Sequence, residues 1–188
     1  MPVSPSTLSK RYKTVRDAIR HETNDKCAYC EVKVTDVYIG DVEHILPKDA
    51  DPKNRTLDYN NLTFACWNCN NEKGNKEYND GFPLLNPYQD DPDEFLRMYG
   101  CMLRPTVREM GNELRAQRTI KDLDLNRSGL IESRETVTKY CEQLEAQFHA
   151  APVQTLKDYA LQKIRDAWKP DKEHAMLAKT YFTNIGIQ

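Results

Sequence analysis

Four of the six cysteines form two C-x-x-C pairs, Cys27/Cys30 and Cys66/Cys69. Each pair can place two thiolates on one knuckle, and four thiolates complete the tetrahedral shell that zinc prefers. A shell filled by cysteine has no open position for a reacting water, so the role of such an ion is structural. Two disulfides are the alternative; in a reducing compartment the metal reading comes first. Between the pairs lies Asp41-Val42-Glu43-His44-Ile45-Leu46-Pro47. A histidine can take a proton near neutral pH, and a glutamate offers a hard oxygen to a divalent ion. A lone histidine is more often a packing or surface residue than a catalyst. Here the bracketing cysteines and the asparagines downstream, Asn60-Asn61 and Asn70, reverse that reading. Asn70 directly follows the second pair, where zinc would fix the start of a helix and give the amide oxygen a rigid base.

These side chains need particular elements to position them. Residues 5–22 read as a helix, with Leu8, Tyr12, Val15 and Ile19 on one face and Ser4-Pro5 as a start. Val32 to Val34 form a short β-like stretch, and 37–46 read as extended. Neighbours on an extended chain point to opposite sides. Glu43 and His44 therefore serve one site only if the chain bends, which Pro47 and the loop over 47–60 permit. Leu62 to Ala65 suit a short strand, and 67–77 suit a helix weakened at Gly74. Residues 81–93 hold three prolines and read as a linker or ordered loop. Helical stripes follow over 133–149 and 154–168, with a last short helix over 171–182. The expected fold class is α+β, a small zinc-stabilised core with an N-terminal helix and a mainly helical C-terminal half. The expected division is an arm at 1–26, a cysteine-framed core at 27–80 and a helical region at 81–188.

The net charge of −2 excludes a passive coat protein for nucleic acid, and affinity for a polyanion must come from a local patch or a partner. No apolar run approaches the roughly 18 residues needed to span a bilayer. The first residues lack the apolar core of a secretory signal. A cytoplasmic protein without a membrane partner is expected. Lys48, Lys53, Arg55, Lys73 and Lys76 cluster around the motif in sequence, and Lys48, Lys73 and Lys76 are the expected nucleic-acid contacts.

The blocks C-A-Y-C, V-E-H-I-L-P-K, N-N-L and C-W-N-C-N-N-E-K-G, in that order over residues 27–74, resemble the HNH endonucleases. The resemblance implies that His44 deprotonates the water that attacks phosphorus. It implies that Glu43 and Asn70 hold the catalytic divalent ion and that Asn61 orients His44 by a hydrogen bond. Asn70 stands where the family name has a histidine. That variant shifts the expected ion to magnesium or manganese, since a histidine-poor shell is harder. More narrowly, K-C-A-Y-C-E, P-L-L-N-P-Y-Q-D-D-P at 83–92 and T-I-K-D-L-D-L-N-R-S-G-L at 119–130 resemble the nuclease subunit of Septu and some retron anti-phage systems. That resemblance implies an ABC/OLD-like ATPase partner; DNA is the expected substrate, and docking through the helical region is a further expected role.

Residues 124–135 fit the pattern of an EF-hand calcium loop, with Asp124, Asn126 and Ser128 as ligands, Gly129 at the turn, then Ile131, and Glu135 as the bidentate end. No second such loop exists, and Leu125 and Leu130 suit an apolar packing strip, so packing is the preferred reading. Cys101 and Cys141 read as small apolar groups, and Trp67 as a residue packed in the knuckle. Trp168 and Phe148 read as core or partner-facing surface. The rival function is a non-catalytic zinc-knuckle module that binds nucleic acid or protein. Deleting about 95–188 is expected to remove docking while sparing the zinc core.

Overall fold

A computed structural model describes residues 5–34, 40–47, 58–76, 80–106 and 109–187, with the side chains of 5–11 not described. The first helix, α1, runs Pro5–Glu22, as its periodicity requires. It buries Ile19 completely and Val15 partly. Tyr12 departs from the expected stripe: it stays exposed and donates its hydroxyl to Asp41. The first cysteine pair follows in a tight turn. Among the described residues, the pairing there is a single bridge between Lys26 and Lys33, in place of the short strand expected over Val32 to Val34. The Cys27 N–H donates to Val32 O at 2.9 Å and closes the knuckle.

Strand β1 (Gly40–His44) pairs antiparallel with β2 (Leu62–Cys66), placing Glu43 opposite Thr63 and His44 opposite Leu62. Most of the 47–60 loop, including Lys48, Lys53 and Arg55, lies outside the described residues. Strand β2 passes without a loop into α2 (Trp67–Lys73). Cys66 thus ends a strand and Cys69 sits on the first turn of a helix. Gly74 stops α2 with φ 52°, a left-handed value that costs glycine little. Strand, strand and helix form the small ββα core.

The 81–93 segment is an ordered loop. Arg115 grips Asp90 with both terminal nitrogens at 3.0 and 2.5 Å, and the Leu85 N–H donates to Thr119 Oγ1 at 2.9 Å. One helical turn, α3 (Pro92–Phe95), then leads into a hairpin that the sequence reading missed, β3 (Leu96–Tyr99) with β4 (Met102–Pro105). Leu96 and Met98 are buried while Arg97 and Tyr99 are exposed, the alternation of a half-buried strand. Helices α4 (Met110–Asp122), α5 (Ser128–Ala150), α6 (Gln154–Ala167) and α7 (Ala175–Asn184) complete the helical half. The fold is α+β.

One buried cluster draws Ile19 from α1, all four paired cysteines, Phe64 of β2, Leu84 and Leu85, Leu96, Met98 and Leu103, then Leu123, Leu125 and Leu130. Packing therefore continues without a break through residues 26 and 80. Each fully buried side chain of this size contributes about 1.5–3 kcal/mol. Deleting 95–188 would strip this cluster, so the zinc core cannot be expected to survive that deletion. A second cluster, with Cys141, Leu144, Ile164 and Phe182, joins α5, α6 and α7, and Phe148 and Trp168 pack against it partly buried.

The 124–135 segment is a packed turn that runs into a helix. Helix α5 begins at Ser128, and the Asn126 amide pairs with both Leu103 N–H, at 2.8 Å, and Leu103 O, at 2.9 Å. Leu125 and Leu130 are buried, as packing predicts. No described helix is long and apolar enough to cross a membrane.

Candidate metal centres and active-site pocket

The Sγ atoms of Cys27, Cys30, Cys66 and Cys69 all lie within 4.8 Å of one another, and all four residues are buried. Cys30 Sγ and Cys66 Sγ are 3.8 Å apart, far beyond the roughly 2.05 Å of a disulfide. Zinc–sulfur bonds of about 2.3 Å in a tetrahedron separate the sulfurs by about 3.8 Å. The cluster therefore fits a zinc ion. Without a cation the four thiols oppose one another. Hydrogen bonding with Cys27 pulls the Cys66 thiol down toward thiolate, and the same neighbour pushes Cys30 and Cys69 up. A divalent cation removes that conflict by stabilising all four thiolates together.

The sequence reading missed a fifth residue here. Arg127 reaches the cluster from far along the chain, with its guanidinium against Cys30, Cys66 and Cys69. Burial works against its charge, but the Cys69 and Cys30 sulfurs outweigh that effect and raise its pKa. Trp67 is a correction. It is 62% exposed at the first position of α2 and does not pack inside the knuckle. Cys141 is fully buried, and Cys101 lies beside Thr138 Oγ1 at 3.6 Å.

Val42, Glu43, His44, Pro47, Asn70, Lys73, Gly74 and Asn75 border an open pocket of about 360 Å³. Glu43 and His44 come from the end of β1, while Asn70 and Lys73 sit three apart on one face of α2. The cysteine cluster anchors that helix at its first turn through Cys69. Glu43 is buried, and Lys73 Nζ lies 2.6 Å from its Oε1. Lys73 also donates to His44 O at 2.7 Å. Its ammonium is thus sealed against β1, not presented on the outer surface as a phosphate contact requires.

Asn61 is buried and its side chain grips the chain just past His44. Its Oδ1 accepts from Leu46 N–H at 2.8 Å and its Nδ2 donates to Leu46 O at 3.1 Å. The Ile45 N–H donates to Asn61 O at 2.9 Å. Asp58 in turn fixes this corner by accepting from Asn60 N–H at 3.0 Å. Lys76 is exposed, with Nζ on the carbonyls of Glu72, at 2.6 Å, and Asp122, at 3.0 Å.

Residues 27–76 match the family model of the HNH endonuclease, a span that holds the knuckle, the ββα core and the pocket. Beyond that core, the chain is similar to the Septu protein PtuB of Bacillus mycoides (strain KBAB4). The two are 26% identical over 157 residues, which cover 69% of this chain and 52% of that protein. The chain spans about half the length of that curated relative.

Proposed function

We propose that the chain is a metal-dependent endonuclease that hydrolyses phosphodiester bonds of DNA as the effector of a bacterial anti-phage defence complex. One observation carries this reading. Glu43, His44, Asn70 and Lys73 border a single pocket on a ββα core, inside the span that matches the HNH endonucleases. Glu43 and Asn70 would hold magnesium or manganese. They offer two hard oxygens, and the open pocket leaves room for the waters such an ion keeps. A bound ion there offsets charge that grows on the phosphoryl oxygens and the leaving 3′ oxygen.

His44 accepts the proton of the attacking water. Asn61 holds the Leu46 main chain and so fixes the path of the strand beyond His44, which is how it orients the base. Lys73 compensates the buried Glu43 carboxylate, while Lys48 and Lys76 are left to contact phosphates. The four cysteines hold a structural zinc that seats α2. A cytoplasmic partner, an ABC/OLD-like ATPase docked on 81–188, would supply recognition and control. The likeness to the Septu protein PtuB supports that partnership, and a net charge of −2 is consistent with it, since affinity for a polyanion must then come from a local patch or a partner.

The rival is a zinc-bearing binding module without catalysis, and the Lys73–Glu43 ion pair favours it, because a lysine occupies the carboxylate that should face the ion. A cleavage assay on supercoiled plasmid separates the two. Cutting in magnesium or manganese and none in EDTA supports the nuclease. Binding without cutting, both alone and with an ATPase partner added, supports the module.

A further inference from the structure

Arg127 lies immediately before α5, outside the span that matches the nuclease family. Its Nη1 is 3.7 Å from Cys69 Sγ. Its Nη2 is 3.7 Å from the same sulfur and 3.9 Å from both Cys30 Sγ and Cys66 Sγ. The same side chain donates back to the turn after α4, with Nη1 3.3 Å from Leu123 O and 3.1 Å from Asp124 O. One planar guanidinium thus joins the α4–α5 turn to three of the four sulfurs.

Four thiolates around a divalent cation carry a net double negative charge, and burial makes that charge costly unless donors and cations surround it. Among the described residues, the other buried lysines and arginine, Lys26, Lys73 and Arg134, are committed elsewhere, Lys73 to Glu43 at 2.6 Å. Arg134 holds Cys101 O at 3.1 Å and Asn126 Oδ1 at 3.3 Å, and Lys26 is paired with Glu31 at 3.0 Å. Arginine suits the remaining task, because its fixed fork of N–H groups can serve several acceptors at once.

We propose that Arg127 is an outer-sphere member of the zinc site: it donates to the thiolates of Cys30, Cys66 and Cys69, strengthens zinc binding, and ties the helical half to the nuclease core through the metal. The proposal rests on the zinc reading above. It gives zinc a second task, since filling the site then also holds the α4–α5 turn, whose Leu123, Leu125 and Leu130 belong to the main buried cluster. Residues that hydrogen-bond to metal ligands typically account for about 10–100-fold in metal affinity.

The test uses the full chain as wild type, Arg127→Gln and Arg127→Lys. Zinc content is measured first, then zinc affinity by competition with a chromophoric chelator, and finally the rate of cysteine alkylation in the zinc-loaded proteins. Arg127→Gln is expected to bind zinc about 10–100-fold more weakly and to be alkylated faster. Arg127→Lys keeps the charge but loses the fork, so it should fall between, and it carries the test if the glutamine variant does not fold. Wild-type zinc affinity in both variants, or in Arg127→Lys alone where only it folds, would overturn the role of Arg127 while leaving the zinc site intact. A wild-type chain that takes up no zinc would overturn the zinc reading and this inference together.

Discussion

The ammonium of Lys73 lies 2.6 Å from the carboxylate of Glu43, with the two residues only 2% and 7% exposed. The carboxylate assigned to the catalytic ion therefore carries its own counter-charge when no ion is bound. A buried carboxylate without such a partner is costly, and removing one member of a buried pair typically costs about 3–5 kcal/mol.

Lys73→Met should lower stability by about that amount, seen as a fall in Tm. In the double variant with Glu43→Gln the loss should be well below the sum of the single losses, because the orphaned charge is gone. Magnesium should raise the Tm of Lys73→Met more than that of the wild type, since ligand binding stabilises by mass action. A Lys73→Met protein as stable as wild type, indifferent to magnesium, would contradict both the buried pair and the assignment of Glu43 as a ligand.

Metal removal should act on the fold as a whole. All four zinc-site cysteines belong to the main buried cluster, and structural zinc contributes on the order of 10–16 kcal/mol in small zinc-finger peptides. A strong chelator with reductant should sharply lower the Tm or abolish cooperative unfolding, and zinc should restore it. An unchanged melting curve after verified zinc removal would contradict this.

A fragment ending near residue 94 should not fold, even with zinc. It lacks Leu96, Met98, Leu103, Leu123, Leu125 and Leu130, which share one buried cluster with Phe64 and the cysteines. Circular dichroism melting of the fragment should show no cooperative transition. A sharp transition would mean that the ββα core is independent of the helical half.

Gly40 is closely enclosed. A Cβ there would lie 2.6 Å from Val34 Cγ1 and 3.0 Å from both Ala65 O and Phe64 Cζ. Overpacking of this kind costs about 1–3 kcal/mol. Gly40→Val should therefore lower the Tm and, by shifting β1, slow any cleavage. Unchanged stability would show that β1 is not seated as described.

Local signals were legible in the sequence, and long-range ones were not. Helix α1 has clear periodicity and a start signal, and the spacing of the paired cysteines announces the cluster they form. The β3–β4 hairpin escaped because each strand is only four residues long, too short for alternation to stand out. Lys73 read as a nucleic-acid contact because its partner Glu43 approaches only through the fold. Nothing local marks Arg127 as a neighbour of cysteines 58 to 97 positions earlier. Trp67 was misplaced because an apolar side chain next to a metal ligand suggests packing, while the first turn of α2 turns that position outward.

The central claim is that His44 is the general base of a metal-dependent nuclease. The most direct test compares the plasmid cleavage rates of wild type and His44→Ala, in magnesium or manganese, with zinc content matched and the partner ATPase present if the chain alone is silent. Positioned general bases contribute about 10²–10⁴-fold. The account predicts a loss of at least that order in His44→Ala with zinc and fold retained. Cleavage by His44→Ala at the wild-type rate would contradict it.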